Sequence, residues 1–294
     1  MECKFLPTQR NVRIAEMRFH SMANKVVLSN IDYNTIEHKE DISIREKLDA
    51  IPKFKSFMMN TICALREKYI SIEFAGNGVH VTQECLPDLH AQLSNVCKTI
   101  GYDSVPDFSL MWNYYITAGT EGANKPHITA MSGAIDLLNE DELSFLLGHE
   151  IGHQACGHKP YHMFLETLYM PLINTVPGGK IWIGLVRSTI LNWYRYSDFT
   201  ADRIGLLACQ DLNAALTTMI KMSGMPKKYF SSINVNSFIK QSQEFDEMYS
   251  GITGNLINYV SINTAFNPWL VARAAELYRW YKSGDYENII HSNR

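Results

Sequence analysis

Two histidines four residues apart, with a glutamate beside the first, form the segment His149-Glu150-Ile151-Gly152-His153. At 3.6 residues per helical turn, positions four apart share one face, so both imidazoles can point at a single ion. Glu150 projects about 100° round the axis from His149, which places its carboxylate beside that ion rather than on it. Two neutral imidazoles suit a borderline-soft cation such as zinc. The bland alternative is an amphipathic helix with incidental histidines. Gly148 and Gly152 weigh against it, because a purely structural helix would gain about 1 kcal/mol from a better helix former at each position. Small residues serve where another element or a substrate must approach.

A catalytic zinc takes three protein ligands and leaves a fourth position for water. On a continuous helix His158 is badly placed, facing away from His149 and lying about 140° round the axis from His153. It reads as a solvated or outer-layer group. Downstream, Asp198 and Asp202 offer two carboxylates four apart on one helical face. One can bind the metal while the other accepts a hydrogen bond from a histidine's free ring nitrogen. Trp193, Tyr194, Tyr196, Phe199, Ile204, Leu206 and Leu207 surround the pair, which is not the setting of a solvated acidic face. Tyr194 and Tyr196 themselves read as core residues before oxyanion donors.

The elements that must position these groups follow from pattern. Asn139 with Glu142 three residues on has the form of a capping box, and it starts the helix that carries the two histidines. Apolar positions at three- and four-residue spacings predict helices over 44–51, 57–69, 86–100, 193–209 and 268–281, with Gly101 as a stop signal. The aromatic-rich segment 107–118 reads as a buried strand, 119–126 as a turn and 127–132 as a second strand, which suggests a hairpin. The architecture expected is α+β and predominantly α, with a small antiparallel sheet beside the histidine-bearing helix. One domain over 1–294 is expected, its first 106 residues helical and 107–287 forming the core.

Composition narrows the function. The 294 residues are 46% hydrophobic and 19% charged, which favours a packed globule over disorder. A net charge of −3 gives no basic face for nucleic acid, so no such partner is expected. The six cysteines form no C-x-x-C pair and read as reduced thiols. With no basic, apolar start to the chain, the expected compartment is the cytoplasm. The apolar stretch 167–194 is cut by Pro171, Pro177, Gly178, Gly179, Lys180 and Arg187, so a buried helical hairpin is favoured over membrane contact.

On these residues the sequence resembles the metallopeptidase family that contains HtpX and the CAAX prenyl endopeptidases, in its small soluble bacterial branch. The likeness runs from about residue 107 to residue 287, through 132–138, 148–158 and 201–209. It implies a gluzincin-like fold with one zinc ion per chain held by His149, His153 and Asp198. It implies Glu150 as general base and Asp202 as the partner that steadies a histidine. Where the family has His-Pro and then an arginine, this chain has Asn267-Pro268 and Arg273. Asn267 thus stands where a histidine contacts the reacting oxyanion, and Arg273 where an arginine braces the acidic helix. Asp198 also replaces the usual glutamate, and Tyr114-Tyr115-Ile116 replaces an Asn-Ala-aromatic strand. The expected function is zinc-dependent endopeptidase action on a peptide or protein. The substitutions at 198 and 267 motivate an alternative, a zinc-binding regulatory protein without turnover. The expected substrate docks in extended form along an edge strand at 127–131.

Overall fold

The computed structural model describes residues 25–29, 31–168, 179–249 and 269–293. The helices in chain order begin with α1 (Lys39–Asp49) and α2, which starts as Phe54–Phe57, passes through a π-helical Met58–Cys63 and continues as Ala64–Asn77. Then come α3 (Pro87–Thr99), α4 (Ser132–Leu137), α5 (Glu140–Ala155), α6 (Lys159–Leu168) and α7 (Gly179–Cys209). After these follow α8 (Leu212–Met222), α9 (Val235–Tyr249), α10 (Leu270–Ser283) and α11 (Asp285–Ser292). Strands β1 (Val79–His80), β2 (Asp107–Met111), β3 (Ala118–Glu121) and β4 (His127–Met131) form one sheet in the order β1-β2-β4-β3. The fold is mainly helical with a small sheet, as expected.

Helix ends follow local chemistry. The Asn139 side chain accepts the Glu142 N–H at 3.0 Å, and the Glu142 carboxylate accepts the Asn139 N–H at 2.7 Å. Together they satisfy two of the N–H groups that a helix start leaves without partners. Beyond α3, Gly101 adopts φ +66°, and a Cβ there would meet the Leu28 carbonyl oxygen at 2.4 Å. Glycine is needed at that stop.

The sheet is mixed rather than antiparallel. β2 runs parallel to β4, Asp107 opposite His127 through Met111 opposite Met131, and the hairpin is β3–β4. The expected strand over 107–118 ends at Met111 because residues 112–117 cross the end of β4 to reach its far side. That crossing is fastened to α4. The Asn113 carbonyl accepts from the Gly133 N–H at 2.9 Å and from Ser132 Oγ at 3.0 Å. Trp112, Tyr114 and Tyr115, which read from sequence as buried, are exposed by 90, 65 and 72%. β4 is paired on both sides, so it is not an edge. Among the described residues, the edge strand on the α5 side is β3. The Gln154 amide of α5 donates to Thr120 Oγ1 at 2.8 Å and to the Gly122 carbonyl at 2.9 Å, tying helix to strand.

Two apolar clusters meet along α7. Leu143, Phe145, Leu147 and Ile151 of α5 pack with Ile204, Leu206 and Leu207 of α7 and with Phe108 and Ile128 of the sheet. Ile44, Leu48, Phe54, Phe164 and Trp193 join α1, α2, α6 and α7 in the other. Of the apolar stretch 167–194, Ile190, Leu191 and Trp193 are buried in that second cluster, and residues 169–178 lie outside the described residues. No described helix is long and apolar enough to cross a membrane. Cys63, Cys97, Cys156 and Cys209 are buried free thiols, and Cys85 is free and exposed.

Candidate metal centre

His149 and His153 sit one turn apart on α5, which is buried from Glu142 through His153. Such a helix must be covered on every side, and α7 lies against the histidine face. The two backbones come very close. A Cβ on Gly148 would stand 2.4 Å from Ala208 Cβ, and one on Gly152 would stand 3.1 Å from Ala201 Cα. On the facing helix, a Cβ on Gly205 would stand 2.8 Å from the Phe145 carbonyl oxygen. The glycines that bracket the motif therefore admit α7, and α7 brings Asp198 and Asp202 over the histidines.

Three candidate ligand atoms converge. His149 Nε2 and His153 Nε2 are 3.1 Å apart, and Asp198 Oδ1 lies 3.3 Å from His153 Nε2 and 4.0 Å from His149 Nε2. A tetrahedral zinc with bonds of about 2.0–2.1 Å needs ligand atoms about 3.3 Å apart. The triangle fits. The chemistry of the donors also fits, because the outer partner of His149 directs its proton away from the centre. Asp202 Oδ1 accepts from His149 Nδ1 at 2.9 Å, which leaves a lone pair on Nε2. Two imidazole nitrogens, at least one of them bare, and a carboxylate facing one another suit a cation. Glu150 is buried beside them, only 6% exposed.

Electrostatics sharpens the arrangement. Burial pushes the His153 pKa well below its ordinary value, and the neighbouring His149, His162, His158 and Lys159 add to the shift, so its imidazole is neutral. Burial pushes Asp198 up to about 6 against the attraction of Arg273 and His149. Asp202 goes the other way. Burial would raise it, but Arg273 outweighs that with Nε donating to Oδ2 at 2.8 Å and Nη2 to Oδ1 at 2.5 Å.

The structure thus brings together His149, Glu150, His153, Asp198, Asp202 and Arg273, while Asn267 lies outside the described residues. Of the two readings of His158 the outer-layer one fits, since it is fully buried with its Nδ1 3.0 Å from His153 Nδ1, while its expected direction away from the site does not. The helical projection fails because α5 stops at Ala155. Gly157 turns left-handed at φ +67°, its N–H bonds the Gln154 carbonyl, and the His158 N–H bonds the His153 carbonyl at 3.0 Å. This is a Schellman ending, and it folds His158 back over the last turn. Gly157 was the sequence signal for it. Asp41 of α1, 2.9 Å from His158 Nε2, carried no such signal. His162 was also missed; its ring lies 4.7 Å from that of His153, stacks on Tyr194, and shares a 2.9 Å hydrogen bond with Ser197 Oγ. Tyr194 and Tyr196 pack against the second apolar cluster.

A second group of metal-capable side chains, Glu37, Asp41 and His158, lies beside the first. Arg45 offsets one of its two negative charges, pairing with Glu37 and placing Nη1 3.9 Å from Asp41 Oδ1. Burial alone would raise the Asp41 pKa; His158, Thr200 and Arg45 outweigh it and hold the group down to about 2.

Residues 86–277 match the family described as Peptidase family M48. Plastoglobule-localized metallopeptidase 48, chloroplastic, of Arabidopsis thaliana is 26% identical over 267 residues, which covers 90% of this chain and 77% of that protein. Protease HtpX of Acinetobacter baumannii (strain AYE) is 27% identical over 134 residues, or 35% of this chain and 44% of its own length. No solved structure matches. A match over more than half of the sequence, centred on the helices that carry the histidines and the carboxylates, places this chain in Peptidase family M48.

Proposed function

We propose that this chain is a zinc-dependent metalloendopeptidase. The observation that carries the reading is the triangle of His149 Nε2, His153 Nε2 and Asp198 Oδ1, with sides of 3.1, 3.3 and 4.0 Å. When bound, zinc supplies Lewis acidity that lowers the pKa of water toward about 7 and polarises a carbonyl. His149, His153 and Asp198 hold that ion, and Asp202, clamped by Arg273, fixes the His149 tautomer. Glu150 takes the proton from the attacking water and delivers it to the leaving amine. By its place in the sequence Asn267 stands where the family has an oxyanion-contacting histidine, and an asparagine side chain there can donate a hydrogen bond but not transfer a proton. A peptide or unfolded protein segment adds in extended form to the edge strand β3, which runs beside α5. Reduced buried thiols fit a cytoplasmic setting, whereas the name of the Arabidopsis relative places that protein at plastoglobules.

The test is zinc content together with hydrolysis of an unstructured protein, with Glu150→Gln as control. One equivalent of zinc and cleavage that disappears in the control support the reading. One equivalent of zinc without cleavage favours the alternative motivated by Asp198 and Asn267, a zinc-binding regulatory protein on a peptidase fold.

A further inference from the structure

Each metal-binding imidazole has a second nitrogen, and the partner of that nitrogen decides which tautomer the ring adopts. For His149 the partner is Asp202. For His153 the partner is another imidazole, His158, at 3.0 Å between the two Nδ1 atoms. One proton lies between those nitrogens, so its owner depends on what holds the far side of His158. There Asp41 Oδ2 stands 2.9 Å from His158 Nε2, off the direction of the ring N–H, so the contact is a close electrostatic one rather than an aligned hydrogen bond. A carboxylate that close repels a lone pair, which favours a proton on His158 Nε2 and, in the neutral ring, a lone pair on its Nδ1. His153 Nδ1 must then donate, and its Nε2 is left bare toward His149 and Asp198. The reverse arrangement would place a proton on His153 Nε2, where a ligand lone pair is needed.

Asp41 is built for this role. Its Oδ1 accepts from Trp193 Nε1 at 2.7 Å and its Oδ2 accepts from Thr200 Oγ1 at 2.6 Å. Asp41 and His158 are both fully buried. Arg45 offsets part of the local negative charge and anchors to the Cys156 carbonyl at 2.6 Å. Asp41 belongs to α1, outside the segment 86–277 that the family shares.

We propose that Asp41 and His158 form a buried relay that positions His153 as a metal ligand, so that the N-terminal helix α1 is part of the metal centre. The inference rests on reading His153 as a ligand. Asp41 and His158 are positioning residues that touch neither metal nor substrate.

The experiment uses the full chain with Asp41→Asn, His158→Gln and, as a packing control in the same apolar cluster, Phe54→Leu. Zinc affinity is measured by competition with a chromophoric chelator, melting is followed on the metal-free proteins, and cobalt(II) is loaded for its visible spectrum. Asp41→Asn and His158→Gln are expected to weaken zinc binding about 10- to 100-fold and to alter the cobalt spectrum. Phe54→Leu is expected to lower the melting temperature while leaving both metal readouts unchanged. Nitrogen-15 spectra of the zinc-loaded wild type need no substitution and should show the His158 proton on Nε2 and the His153 proton on Nδ1. Wild-type affinity and an unchanged cobalt spectrum in both relay variants overturn the inference, as does a His158 proton found on Nδ1. Two equivalents of zinc in the wild type, falling to one in Asp41→Asn, overturn it in favour of a second cation site at Glu37, Asp41 and His158. A wild type that binds no zinc overturns the metal-site reading and this inference with it.

Discussion

The contact of α5 with α7 is tightest at Gly148, where an added Cβ would stand 2.4 Å from Ala208 Cβ and 3.1 Å from Gly205 Cα. Carbon atoms in contact prefer about 3.5–4.0 Å, so Gly148→Ala must open this point by about 1.2 Å. Neither neighbour has a flexible end that could move aside. If α7 tilts about the next contact, Gly152 on Ala201, the lever from Ala201 to Ala208 is about 10.5 Å and the tilt about 6–7°. Asp198 lies about 4.5 Å beyond that fulcrum and shifts by about 0.5 Å. Metal-ligand distances tolerate about 0.2 Å, so zinc affinity must fall. Overpacking costs about 1–3 kcal/mol and the helix propensity of alanine returns about 1, for a net loss of up to about 2 kcal/mol. Gly152→Ala meets its neighbours only at 3.1–3.2 Å and should show a smaller loss of both affinity and stability. The pair Gly148→Ala with Ala208→Gly should recover much of both. Calorimetry of the metal-free protein and chelator competition measure the two effects. A Gly148→Ala variant that melts no lower and binds zinc as tightly as the wild type would refute the idea that close helix approach positions Asp198.

Asp198→Ala should release the metal, whereas Asp198→Glu should retain it; zinc analysis of the purified variants decides, and full occupancy in the alanine variant contradicts the ligand assignment. Arg273→Ala leaves the Asp202 carboxylate buried and without its clamp, so it should destabilise the fold by about 3–5 kcal/mol in denaturant titrations. The pKa of Glu276 is set against its burial by His38, Arg279 and Arg203, which together hold it down to about 2. A carboxylate whose folded pKa is depressed stabilises above its unfolded pKa and loses that contribution as pH falls through the folded value. The stability gap between wild type and Glu276→Gln should therefore be full above about pH 5, on the order of 2 kcal/mol, and close near pH 2. A gap that does not change with pH would contradict this.

Much of the centre was legible in sequence because it depends on helical periodicity. His149 and His153 four apart, Asp198 and Asp202 four apart, and the Asn139–Glu142 capping box all state local geometry that tertiary packing keeps. The parallel pairing of β2 with β4 was not legible, because period-2 patterns say which face a residue takes but nothing about strand order. The exposure of Trp112, Tyr114 and Tyr115 follows from that same topology. His158 was misplaced by projecting an ideal helix past Gly157, whose left-handed turn ends the periodicity. Asp41 was out of reach for a different reason. A lone acid among Lys39, Glu40 and Arg45 looks like a solvated helix face, and only the docking of α1 onto α7 buries it.

X-ray absorption at the zinc edge of the loaded protein tests the central claim most directly. The account predicts four nitrogen or oxygen neighbours at about 2.0–2.1 Å, with the multiple-scattering signature of two imidazoles. A sulfur neighbour at about 2.3 Å, or fewer than two imidazoles, would contradict it.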